Sequence, residues 1–179
     1  MTRVLIMATN GFEQSELTGP RERLEQAGIE TRIASPEKGE IRGWQEKDWG
    51  ETVEVDLTLD QVEVEDYDAL LLPGGQINPD ILRMDDRAIG LVNDFAEADK
   101  PIAAICHAPW LLAEAGLLEG RTVTGWPSIR TDLVNAGADV VDREVAQDGN
   151  LITSRNPGDV PAFADALIAR LREGDGAPG

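Results

Sequence analysis

The sequence predicts an open α/β sandwich built on a mostly parallel sheet. Two observations carry this expectation. Short, continuous apolar runs recur along the chain, as in strands buried on both faces. Amphipathic stretches of helical period separate them, and Gly or Pro closes most of these stretches. At 179 residues, with no internal repeat and no linker, the chain reads as one domain large enough to bury a substantial core.

Val4 to Ala8 is the first buried strand. "TNGFEQSEL" follows as a loop, and a helical stretch then runs to Ala27 and is closed by Gly28. Pro20 must sit near the first turn of that helix or kink it. Thr31 to Ala34 reads as a second strand. From Pro36 to Glu65 the chain is polar, and Val53, Val55 and Leu57 alternate with acids as in a half-exposed edge strand. Ala69 to Leu72 is another buried strand and ends in Pro73-Gly74-Gly75. The helix after it carries Ile89, Val92, Phe95 and Ala96 on one face, with Asp85 and Asp86 near its N-terminus. Ile102 to Ile105 leads directly into Cys106, and a helix with Leu111, Leu112 and Ala115 follows and stops at Gly116. A short strand near Val123, a helix through Ile129 and Leu133, and strands near Val140 and Leu151 come next. In the closing helix, Val160, Phe163, Ala164, Leu167, Ile168 and Leu171 have core spacing. The domain is expected over residues 1–172, with 173–179, "EGDGAPG", as a flexible tail.

Composition narrows the partners. Thirty-four acids against sixteen bases give a net charge of −18, which repels nucleic acid and anionic membranes. Only three bases are lysine: Lys38, Lys47 and Lys100. Such acidity is expected of a halophilic protein from a salt-loaded cytoplasm, and also of an ordinary acidic bacterial protein. No stretch approaches the roughly 20 apolar residues that span a bilayer, and no signal peptide is evident, so a soluble cytoplasmic protein is expected. A single cysteine rules out an internal disulfide and a zinc cluster built on several cysteines. No P-loop, dinucleotide fingerprint or Ser/Thr-rich phosphate loop follows a strand, so no cofactor and no metal is expected.

The chemistry gathers in "PIAAICHAPW", which holds the only cysteine, Cys106, and the only histidine, His107. Ligands of open α/β sheets bind beyond the carboxyl ends of the strands, and both Gly74-Gly75 and Cys106-His107 follow buried strands. A nucleophile elbow needs small residues two places either side of the nucleophile, and Ala104 and Ala108 supply them. At a helix start the thiol is expected to fall below its usual ~8.5. The His107 backbone N–H is expected to face a developing oxyanion, with the Gly75 N–H as second donor. The alternative is a buried structural cysteine beside an imidazole that supplies only its backbone.

"LLLPGG", "AAICHAP", "GFEQSEL" and "VVDREVAQDGNLITSRNPGDVPAF" together resemble the ThiJ/PfpI family of cysteine hydrolases, most nearly its PfpI-type intracellular peptidase branch. The resemblance runs from Arg3 to about Leu171 in one order. It implies a flavodoxin-like three-layer sandwich like that of class I glutamine amidotransferase domains. It implies peptidase, protein deglycase or cofactor-free glyoxalase activity on a small carbonyl or peptide substrate. By position, Cys106 resembles the family's nucleophile and His107 its imidazole partner. Glu16 resembles the carboxyl group that hydrogen-bonds the sulfur, with Glu13 at the same mouth. Asp80 falls where PfpI-type proteins place an acid that orients the histidine of a neighbouring subunit, which implies a homo-oligomer with its active site at an interface. Ala108 stands where the family usually has glycine, and Asp80 is glutamate in some relatives. A glutaminase would need a second histidine downstream, and none follows His107. A stress protein that is oxidised at Cys106 without turnover is the competing class.

Overall fold

The computed structural model describes residues 1–176. In chain order its elements are β1 (Arg3–Met7), β2 (Phe12–Glu13), α1 (Gln14–Gln26), β3 (Glu30–Ser35), β4 (Glu40–Gln45), β5 (Asp48–Glu54), β6 (Leu57–Thr58) and β7 (Ala69–Leu72). There follow α2 (Ile77–Leu82), α3 (Asp86–Glu97), β8 (Ile102–Ile105), α4 (Pro109–Glu114), β9 (Thr122–Val123), α5 (Arg130–Asn135), β10 (Asp139–Val140), β11 (Ala146–Asp148), β12 (Leu151–Ser154) and α6 (Val160–Gly176).

Seven strands form the central sheet in the order β11-β12-β8-β7-β1-β3-β6. All its pairs are parallel except β11 with β12. Parallel strands must be covered on both faces, and the alternation along β1 shows how. Val4 and Ile6 join one apolar layer with Leu17 and Leu24 of α1 and Phe163 and Leu167 of α6. Leu5 and Met7 join the other, with Val92 and Phe95 of α3, Leu111 and Leu112 of α4 and Leu133 of α5. The six core positions expected of the closing helix are all buried. This is the mostly parallel, flavodoxin-like α/β sandwich.

The chain runs from β1 outward to β3 and returns to β7 on the other side of β1. Strand order therefore reverses between β1 and β7, where α/β sheets open a crevice at their carboxyl ends. The loops after β1, β7 and β8 all emerge there.

Three local differences from the sequence reading have physical causes. The alternating Val53, Val55 and Leu57 do not form one edge strand. Val53 lies in β5, which pairs with β4 in a small separate sheet, whereas Leu57 lies in β6 at the edge of the main sheet. The chain changes sheets between them, where Asp56 takes the Ile33 N–H on its carboxylate and gives its own N–H to the Ile33 carbonyl. Helix α1 begins at Gln14, within the stretch expected as a loop, and so encloses Pro20. The proline has no N–H to give to the carbonyl of Glu16 four residues earlier, so the ladder is broken just above that residue. The closing helix continues to Gly176, so Glu173 to Gly176 are helical where a tail was expected. Extending a formed helix needs no new nucleus. Residues 177–179 lie outside the described residues. No helix among the described residues is long and apolar enough to cross a membrane.

Candidate active site

Cys106 follows β8 with φ of 66°, a left-handed backbone that side chains other than glycine's rarely adopt. The surroundings hold it there. Its N–H donates to the Ser154 carbonyl at the end of β12 (3.0 Å), and its carbonyl accepts the Trp126 N–H (2.8 Å). A non-glycine residue in this region costs on the order of 1–3 kcal/mol and persists only where its surroundings fix it. The turn lifts the thiol out of the sheet, as an elbow requires. Ala104 and Ala108 are fully buried against it. Ala108 has φ of −59°, so alanine fits without strain where the family usually has glycine.

Glu16, in the first turn of α1, is completely buried. Its Oε1 accepts the Gly74 N–H at 3.0 Å. Burial, with the nearby Glu13 carboxyl second, raises its pKa from an ordinary 4.5 to about 8, so it is neutral at pH 7. A neutral carboxyl can donate, and the Cys106 thiol is a side-chain hydrogen-bond partner of this one. Glu16 Oε2 has no well-formed partner among the other described residues. Glu13 stands at the rim, and partial burial raises its pKa.

Gly74 and Gly75 must be glycine. A Cβ at 74 would lie 2.6 Å from both the Cys106 Cβ and the Ile105 carbonyl oxygen. Gly75 has φ of +86°, and a Cβ there would meet the Gly11 carbonyl and, at 2.7 Å, the Glu13 nitrogen. The absence of side chains brings the backbone against the nucleophile, and the N–H groups of Gly75 and His107 both hydrogen-bond the Cys106 sulfur. These are the two N–H groups expected to face an oxyanion.

His107 places Nδ1 3.1 Å from the Cys106 Sγ. Its ring stacks on Trp126 (centroids 5.6 Å, planes 23° apart) and meets Trp110 edge-on (5.1 Å). Burial lowers its pKa below the ordinary 6.5, so the imidazole is neutral at pH 7.

The thiol differs from the sequence expectation. Burial first, and then the nearby Glu16 carboxyl, raise the Cys106 pKa, whereas a lowered value was expected from the helix start. The cause is geometric. Cys106 is only 5% exposed, and the helix after it, α4, has six residues and begins three positions later. Desolvation outweighs a weak dipole and two N–H donors. Raised thiol and lowered imidazole together describe a neutral S–H···N pair rather than a preformed ion pair.

Asp80 lies exposed on α2 and makes no hydrogen bond or ion pair among the described residues. The chain brings Cys106, His107, Glu16, Glu13 and Gly75 together and leaves Asp80 outside. Sequence reading missed Asn78 and Trp126. Nothing marks Trp126, whereas an asparagine three residues after a glycine pair could have marked Asn78. Among the described residues no group of three or more His, Cys, Asp or Glu side chains could hold a metal ion.

A parallel α/β sandwich with a cysteine on a strained strand–helix elbow, beside a buried glutamate and a glycine pair, defines the class of cysteine-elbow proteins on the flavodoxin-like fold. The DJ-1/PfpI family model matches residues 2–170, and the chain belongs to that family. It is 42% identical over 170 residues to a protein of Thermococcus kodakarensis named as a deglycase, covering 95% of this chain and 99% of that one. It is 45% identical over 174 residues to General stress protein 18 of Bacillus subtilis, covering 96% and 98%. The crystal structure of Drosophila melanogaster DJ-1beta superposes with a TM-score of 0.86 at 32% identity, covering 95% of this chain and 90% of that one.

Proposed function

We propose that this protein is a cysteine-dependent enzyme that adds the Cys106 thiol to electrophilic carbonyl groups, with protein- or aldehyde-directed deglycase and hydrolase chemistry as its activity. The observation that carries the reading is the 3.1 Å contact between Cys106 Sγ and His107 Nδ1 on the elbow, with the buried Glu16 carboxyl held by the Gly74 N–H beside it. Glu13, at the rim of the site, also lines a cleft with Gln14, Thr18, Gln45 and Pro157.

The attack needs no preformed thiolate. Sγ forms a bond to the carbonyl carbon while His107 Nδ1 takes the thiol proton. The π pair moves to the carbonyl oxygen, where the N–H groups of Gly75 and His107 receive the charge. Return of the proton from Nδ1 to that oxygen completes a hemithioacetal with an aldehyde, or a tetrahedral adduct with an acyl group. Glu16, held neutral by burial, donates toward the sulfur without adding charge to the site. For Nδ1 to accept, the proton must sit on Nε2, which has no acceptor among the described residues. We place Asp80 of a second copy there, in a homo-oligomer whose interface completes the site.

The experiment is turnover of methylglyoxal by the purified protein, followed as lactate, beside the Cys106→Ser variant. We expect turnover in the wild type and at least a ~10³-fold loss in the variant, against a loss of ~10⁶-fold when the nucleophile of a serine triad is removed. Equal turnover in both would remove Cys106 from the chemistry, and no carbonyl-directed activity in either would favour the oxidation-responsive stress protein.

A further inference from the structure

Asn78 lies in the first turn of α2, two residues before Asp80, and its side chain is completely buried. It uses both ends of its amide. The Oδ1 accepts the Thr9 N–H at 2.8 Å, just beyond β1. The Nδ2 donates to the Pro73 carbonyl (2.9 Å) and the Gly74 carbonyl (3.2 Å), just beyond β7. One side chain therefore ties together the two loops on either side of the crevice where strand order reverses.

The tied atoms are those on which the site depends. The Gly74 N–H binds Glu16, and the Gly74 carbonyl also accepts the Glu13 N–H at 3.2 Å. Gly75, the next residue, gives its N–H to the Cys106 sulfur from a left-handed conformation. Neither glycine has a side chain with which to fix its own peptide plane, and the turn lies outside any ladder. An outside group has to set the direction of the Gly75 N–H, and Asn78 is the side chain that bonds the two carbonyls immediately before it.

We propose that Asn78 is a positioning residue for the carbonyl-addition chemistry, aligning the Gly75 N–H with the oxygen and the Gly74 N–H with Glu16. This rests on the reading of Cys106 as the carbonyl nucleophile. A donor is required toward Pro73 and Gly74 and an acceptor toward Thr9, so an amide is the fitting group. Aspartate has the same shape but presents a carboxylate to two carbonyl oxygens. Alanine removes all three bonds and leaves buried polar groups unsatisfied.

The test compares wild type, Asn78→Ala and Asn78→Asp by three measurements made well below each protein's melting temperature. These are kcat and KM for methylglyoxal, the pH profile of Cys106 alkylation by iodoacetamide, and circular dichroism. Loss or misplacement of one oxyanion donor lowers kcat by ~10²-fold. We expect that loss in Asn78→Ala with KM within about 2-fold, and at least as large a loss in Asn78→Asp, whose carboxylate faces the two carbonyl oxygens. The alkylation profile of both variants should shift to higher pH, because the sulfur loses an aligned N–H. Alkylation does not need turnover, so it reads the positioning even if the carbonyl substrate has been wrongly chosen. If Asn78→Ala does not fold, Asn78→Asp alone decides. Folded variants with wild-type kcat and an unmoved alkylation profile would overturn the proposal, as would a melting-temperature loss with no change in either.

Discussion

The two walls around Cys106 are built to different degrees of completion. On one side Glu16, Gly74 and Gly75 are buried, the Gly74 N–H bonds Glu16, and Asn78 ties the loop after β7 to the loop after β1, all within one chain. On the other side the His107 ring is held by aromatic packing against Trp126 and Trp110, with one nitrogen on the sulfur and no acceptor for the other among the described residues. Asp80 is exposed on the same short helix that carries the buried Asn78, next to exposed Ile77, Ile81 and Met84. The inner face of α2 serves the finished wall, and its outer face presents an acid among apolar side chains. The carboxyl side is thus built by the fold of one chain, whereas the imidazole side is the one we propose assembly completes.

The largest effect expected from breaking this asymmetry is at Asp80. An imidazole that loses its orienting acid loses its tautomer preference, which in triad enzymes lowers kcat by up to ~10⁴-fold. We expect Asp80→Ala to lose at least ~10²-fold in kcat with the fold intact. Mixing it with Cys106→Ser after subunit exchange should restore part of the activity, since one hybrid interface pairs an intact Cys106 with an intact Asp80. Mixed subunits that exchange, as shown by mass, and remain inactive would place the acid elsewhere.

The finished wall carries a smaller, pH-dependent effect on stability. Folding raises the Glu16 pKa from 4.5 to about 8, so the folded protein binds the proton more tightly. Its contribution is fully present below pH 4.5 and is lost as pH rises toward about 8. Glu16→Gln keeps the neutral shape and removes the titration. The wild type should therefore lose melting temperature relative to Glu16→Gln as pH is raised across that window. Parallel curves would mean that the carboxyl is not held neutral by burial.

Much of this was legible in the chain because the residues involved act locally. Strand cores such as Ala69 to Leu72 and Ile102 to Ile105 announce themselves as apolar runs, and the elbow is written in Ala104, Cys106 and Ala108. The Gly74-Gly75 turn was visible for the same reason, since close approach of backbone permits little else. Other features depend on what the fold brings from afar. Asn78 has its meaning from Thr9, sixty-nine residues earlier. The thiol pKa follows from burial by α1 and the β7 loop, which no local motif reports. The β4–β5 hairpin escaped notice because its strands are mostly exposed and polar, so the apolar signal is confined to residues such as Ile41 and Val53.

Salt should act on both walls alike and more weakly. The net charge of −18 repels itself over a Debye length of roughly 30 Å at 0.01 M salt and only about 3 Å at 1 M. If the acidity belongs to a halophilic surface, the melting temperature should climb between about 0.1 and 2 M KCl while the ratio of wild-type to Glu16→Gln activity stays constant. A flat melting profile would return the chain to the ordinary acidic proteins.

The pH profile of kcat/KM for methylglyoxal, measured on wild type, Glu16→Gln and Glu16→Leu, tests the neutral thiol–imidazole pair beside a protonated carboxyl most directly. The wild type should give a bell. Its acid limb should fall below pH 6.5, where His107 becomes protonated and can no longer accept the thiol proton. Its alkaline limb should lie near pH 8, where Glu16 ionises, stops donating and repels charge on the sulfur. Glu16→Gln should keep most of the plateau activity and lose the alkaline limb, and Glu16→Leu should lose the plateau itself. An alkaline limb that persists unchanged in Glu16→Gln, or equal plateaus in all three proteins, would contradict the role given to the buried carboxyl.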